Sequence, residues 1–144
     1  MFLTSLPTSH ARFIAARLRP NEDVISAIRQ IIINHQLQSA FIAGCVGSLT
    51  DVVLRFAGRD ELHKMTGKFE IVSLIGTLDS KSEHLHLSIS DENGMVCGGH
   101  MLQGCTVRTT LELIIGELEQ TVFERQYCQY SGYDELVISQ RTTI

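Results

Sequence analysis

The sequence predicts an α+β protein: a mostly antiparallel β-sheet with one or two flanking helices. Three observations carry this. Residues 22–35 place apolar side chains at helical spacing. Much of the chain after them falls into short runs rich in apolar and β-branched residues. Gly, Asp, Asn and Ser separate those runs, as strands joined by turns require.

Taken in order, "HARFIAARL" alternates and reads as a first strand. "RPNED" breaks it. Asn21 suits a helix N-cap, and Glu22 and Asp23 lie where the helix dipole favours negative charge. Val24, Ile25, Ile28, Ile31, Ile32 and His35 then give the helix an apolar face. Strands follow in "SAFIAGCVGSL", "DVVLRFA", "KFEIVSLIGTL", "HLHLSIS", "MVCGGHML" and "ELVISQ". "TVRTTLELIIGELEQTVF" fits both periods. Leu111, Ile114, Ile115, Leu118 and Val122 suit a helix with Thr109 and Glu112 as a capping box. Val107, Thr109, Leu111, Leu113 and Ile115 alternate as a strand does. The residues alone lean slightly to helix.

A chain of 144 residues is expected to form one domain, residues 1–144, with enough buried surface for a core of its own. The net charge of −4 argues against binding DNA or anionic membrane through clustered Lys and Arg. Cys45, Cys97, Cys105 and Cys128 form no Cys-x-x-Cys pair and read as reduced, small apolar residues. "MFLTSLPTSH" lacks a basic leader region, and no apolar run approaches the ~20 residues of a membrane span. The expected address is the cytoplasm. "AGCVGS" lacks the Lys-Ser/Thr of a phosphate loop.

The residues that invite chemistry lie in "HLHLSISDENGMVCGGH", which holds three of the six histidines. On a strand, His84 and His86 share one face with Cα atoms about 6.7 Å apart, while Leu85, Leu87 and Ile89 take the other. Whether His100 joins them depends on the turn. A three-residue loop, Glu92-Asn93-Gly94 with Gly94 left-handed, pairs Asp91 with Met95 and sets His86 opposite His100. A two-residue Asn93-Gly94 turn pairs Glu92 with Met95 and turns His100 to the core, unless Gly98-Gly99 holds a bulge. In the first register three imidazoles form an open site of the zinc type. Zinc is the first choice of ion, with nickel, copper and iron also suited to imidazole. His10, His35 and His63 are read as ordinary polar residues. Arg108 would approach His100 if "LQGCT" were a tight hairpin turn, and its guanidinium would then suit an anionic ligand. Glu70 and Glu112 are the carboxylates considered as general bases.

The ordered set "RLRPNEDVISAI", "GSLTDVVLRF", "GKFEIVSLIGTL", "HLHLSISDENGMVCGGHMLQGCTVRTTLELIIGEL" and "SGYDELVI" resembles the plants-and-prokaryotes-conserved (PPC) domain over residues 12–138. The resemblance implies an antiparallel sheet with flanking helices, a homotrimer, and a strand over 106–118. Its bacterial members share the three-histidine pattern, which places the metal reading of His84, His86 and His100 first. Gly67, Lys68, Phe69 and Glu70 match the segment through which plant relatives contact other proteins. Plant relatives also carry an AT-hook for DNA, which has no counterpart here. Asn21 stands where the family usually has Gly, and "FERQYCQYSGY" lacks acidic residues often found before its Gly-Tyr. The function implied is a homotrimeric binding or regulatory module with a histidine-based zinc site, DNA-associated by family label. The alternative is a metal-dependent hydrolase or lyase using metal-bound water.

Overall fold

A computed structural model describes residues 7–142. The order is β1 (Ala11–Leu18), α1 (Val24–His35), β2 (Ala40–Arg55), β3 (Leu62–Leu78), β4 (Glu83–Ser90), β5 (Val96–Met101), β6 (Thr106–Leu118), β7 (Thr121–Cys128) and β8 (Tyr133–Gln140). Six strands form one antiparallel sheet in the order β1-β6-β2-β3-β4-β5, and β7 and β8 pair as a separate ribbon. The end of β2 also pairs with β5, through Leu54↔Met101 and Arg55↔His100. The sheet therefore curls until its far edge meets its own central strand.

The inner face of that curl is the core. Leu85, Leu87 and Ile89 of β4 are buried, as are Leu111, Leu113 and Ile115 of β6. Val24, Ile25, Ile28 and Ile32 of α1 are buried in the same cluster. This is the stripe that the helical spacing predicted.

Within 106–118 the alternating period prevails over the helical one. β6 lies between β1 and β2, so its backbone groups find partners on both sides. That leaves one helix among the described residues. The segment that fits both periods is two strands, β6 and β7, divided at Glu119 and Gln120, with β6 the strand that the resemblance implies. "SAFIAGCVGSL" and "DVVLRFA", expected as two strands, run together as β2, with a register shift between Leu49 and Asp51.

The helix start also differs from expectation. The N-cap is Asp23, whose carboxylate accepts from the Ser26 N–H at 2.8 Å and the Gly104 N–H at 2.8 Å. Asn21 precedes it in the left-handed region, with φ 72°. Asn tolerates that conformation better than most residues. This explains how a residue other than Gly can stand there.

Candidate metal centre

The β4–β5 hairpin adopts the three-residue register. The Asp91 N–H donates to the Met95 carbonyl at 3.0 Å, and Gly94 is left-handed with φ 77°. The Asp91 carboxylate fixes the loop by accepting from the N–H groups of Asn93 and Met95, at 2.8 and 2.9 Å. His86 is thereby set opposite His100. The three rings of His84, His86 and His100 lie on the outer face, with centroids 5.1, 5.2 and 5.8 Å apart. One nitrogen from each lies within 4.8 Å of the others.

Two glycine positions hold this arrangement. Gly76 of β3 has φ 149°, and a Cβ there would overlap the His84 carbonyl oxygen. Gly99 lets β5 fit between β4 and the end of β2; a Cβ there would lie 2.7 Å from the Arg55 carbonyl oxygen.

The centre opens on a cavity of about 590 Å³ whose lining includes the three histidines, Arg55, Phe56 and Tyr133. Partial burial holds the His84 imidazole below its ordinary pKa, and the neighbouring His86 and Arg125 act in the same direction. His100 is lowered by its burial first, then by Arg55. Both rings therefore favour the neutral form, the one that offers a lone pair to a metal.

Arg55 is the residue that sequence reasoning missed. Cross-strand pairing forms a continuous row, Arg55, His100, His86 and Ile75, across β2, β5, β4 and β3. Directly paired residues share a face, so Arg55 borders the imidazoles. The signal was absent from the local sequence because the β2–β5 contact joins residues far apart in the chain.

Arg108 lies elsewhere. "LQGCT" is not a hairpin turn between paired strands: β5 pairs with β4 and β2, whereas β6 pairs with β1 and β2. Arg108 is exposed on β6 and is not among the residues lining the histidine cavity. Nor are Glu70 and Glu112. Gly67, Lys68, Phe69 and Glu70 lie on β3, where Phe69 packs against the core and Lys68 pairs with Glu92 at 2.9 Å. His63 lies on β3 with its ring centroid 4.8 Å from that of Phe56. The four cysteines are free thiols.

The Plants and Prokaryotes Conserved (PCC) domain model matches residues 7–119. A solved hypothetical protein from Salmonella cholerae-suis is 55% identical and superposes with a TM-score of 0.93, covering 94% of this chain and 99% of that one. A metal-containing protein from Archaeoglobus fulgidus shares the fold at 20% identity, with a TM-score of 0.81 over 93% of this chain and 99% of that one. Among curated proteins, the Bifunctional protein GlmU of Synechococcus sp. (strain JA-3-3Ab) is 35% identical over 133 residues. That match takes in 92% of this chain but spans only 21% of the relative's length. By sequence and by fold, the chain belongs to the Plants and Prokaryotes Conserved domain family.

Proposed function

We propose that the protein is a binding or regulatory module built around a divalent metal, zinc first, held by His84, His86 and His100. The observation that carries this is the convergence of three imidazole nitrogens, from two strands, within 4.8 Å. The donor set fits the ion: three imidazoles and a solvent-facing side match the open zinc arrangement, with Zn–N distances of about 2.0–2.1 Å. A bound metal would act as a Lewis acid toward a ligand entering the cavity. The chain's own contribution is to fix the rings on two paired strands and to keep His84 and His100 neutral. The metal-containing relative from Archaeoglobus fulgidus, which has the same fold, supports the reading.

The module acts as a homotrimer in this reading. The outer face of β1, β6 and β2 supports it: Phe13, Val46 and Ile114 are 61%, 59% and 44% exposed on adjoining strands. Contiguous exposed apolar surface of this kind marks a protein contact. Small anionic ligands, and protein partners reaching Gly67, Lys68, Phe69 and Glu70 on β3, are the further contacts proposed. DNA enters through the family label alone. A duplex titration at low salt checks it, because phosphate contacts are strongest there. The enzymatic alternative, a hydrolase or lyase, has Asp60 as a carboxylate lining the cavity.

The test is metal analysis of the purified protein and of His86→Ala and His100→Ala. One metal per chain in the wild type and loss in both variants is expected. Full wild-type metal in both variants would refute the site. Mass in solution at micromolar concentration should be that of a trimer; a monomer would refute the assembly.

A further inference from the structure

Two arginines flank the histidine centre, and they are held very differently. Arg125 of β7 donates to the Thr77 hydroxyl at 2.8 Å and to the Asp79 carboxylate at 3.4 Å. Its charge is answered within the protein, and it pins the β7–β8 ribbon to the sheet. Arg55 is half-buried at the end of β2, yet its guanidinium has no ion pair among the described residues. The nearby carboxylates are otherwise placed. Glu83 is taken by Arg29 at 2.6 Å, and Asp60 and Glu135 line the surrounding hollows without bonding Arg55.

A half-buried cation with no counter-charge is unfavourable, and a divalent ion on the neighbouring imidazoles makes it more so. The arrangement becomes favourable when an anion lies between them. We propose that Arg55 is the anion-binding residue of this site, and that the ligand is a small molecule carrying a carboxylate or phosphate group. With the metal held by the histidines, that group would be shared between the metal and the Arg55 guanidinium. Arg suits this because it offers planar, paired N–H donors where Lys offers a point charge. The cavity, at about 590 Å³, admits a metabolite-sized ligand, and Phe56 gives its remainder an apolar wall.

The inference rests on the metal reading, so the experiment measures the two separately. Zinc-loaded wild type, Arg55→Gln and Arg55→Lys are assayed for zinc per chain and titrated calorimetrically with inorganic phosphate and with acetate. All three proteins should retain one zinc. Phosphate, acetate or both should bind the wild type, with the tighter one naming the group. Arg55→Gln should weaken that binding roughly ten- to hundredfold, the range expected for a charged hydrogen bond. Arg55→Lys should restore part of it. Equal affinity in wild type and Arg55→Gln, both fully zinc-loaded, would overturn the role of Arg55 and leave the metal site standing. Failure of zinc-loaded wild type to bind either anion at millimolar concentration would overturn it too. A wild type that holds no zinc would remove the metal reading and this inference together.

Discussion

Two polar clusters of the molecule invert each other. Near the end of β6, Glu117 is 1% exposed and fully answered. Arg12 reaches it at 2.7 Å, Arg141 at 2.8 Å and the Gln38 N–H at 3.0 Å. At the β4–β5 hairpin, three imidazoles and Arg55 face a cavity, and no carboxylate among the described residues is bonded to them. Both clusters gather residues from distant parts of the chain. The first answers its buried carboxylate internally, so its role is to tie β1, the start of β2 and the chain's C-terminal part to β6. The second leaves donors and a cation unanswered, and in the proposed reading a bound metal and anion answer them.

That contrast can be broken deliberately. The largest effect is expected from His100→Ala, which removes one of the three proposed ligands. Metal affinity should fall by more than about a hundredfold, a larger loss than changing a residue that only supports a ligand brings. The thermal unfolding of the metal-free protein should hardly move, because no internal partner is lost. Calorimetry with and without metal checks both halves.

Glu117→Ala should behave in the opposite way. It strands the Gln38 N–H and frees two guanidinium groups. Arg12 and Arg141 are 48% and 31% exposed and can turn to water, so the cost should be about 2 kcal/mol rather than that of a fully buried pair. Denaturant unfolding measures it, and zinc content should stay at the wild-type value.

The acid limb of the stability curve sharpens the same point. Burial alone would raise the Glu117 pKa, but Arg141, the Gln38 N–H and Arg12 outweigh it and hold the carboxyl below its ordinary 4.5. Asp79 is likewise pushed up by burial and brought below 3.8 by Ser82, the Lys81 N–H and Arg125. A carboxyl whose folded pKa is depressed adds stability above its unfolded pKa and loses it as pH falls through the folded one. Stability should therefore be level in these terms above pH 4.5 and decline below it. Glu117→Gln should flatten that decline in urea titrations run from pH 5 to pH 2. The smallest effect belongs to Lys68→Ala. Its pair with Glu92 is exposed on both sides, at 55% and 63%, so the change should be below about 0.5 kcal/mol.

What the sequence made legible follows the range of each interaction. The helix face and the alternation of β4 depend on neighbours a few residues away. Val24, Ile25, Ile28 and Ile32, and likewise Leu85, Leu87 and Ile89, are buried as their spacing predicts. The hairpin offered two registers that differ by one residue. The Asp91 side chain, bonded to two N–H groups of its own loop, accompanies the one adopted. Local periodicity misled where pairing partners decided, as in β6, whose helix-like spacing yields to strands on both sides. Arg55 was invisible because only the curling of the sheet brings β2 to β5. Arg108 looked closer because a short "LQGCT" suggested a turn, whereas the chain there crosses to another part of the sheet.

The most direct test of the central claim is an anomalous difference map at the zinc edge from crystals of the protein grown with zinc. The account predicts one peak per chain, about 2.0–2.1 Å from a nitrogen of each of His84, His86 and His100. A map with no peak among those three rings, or with its only peak on other residues, would contradict it.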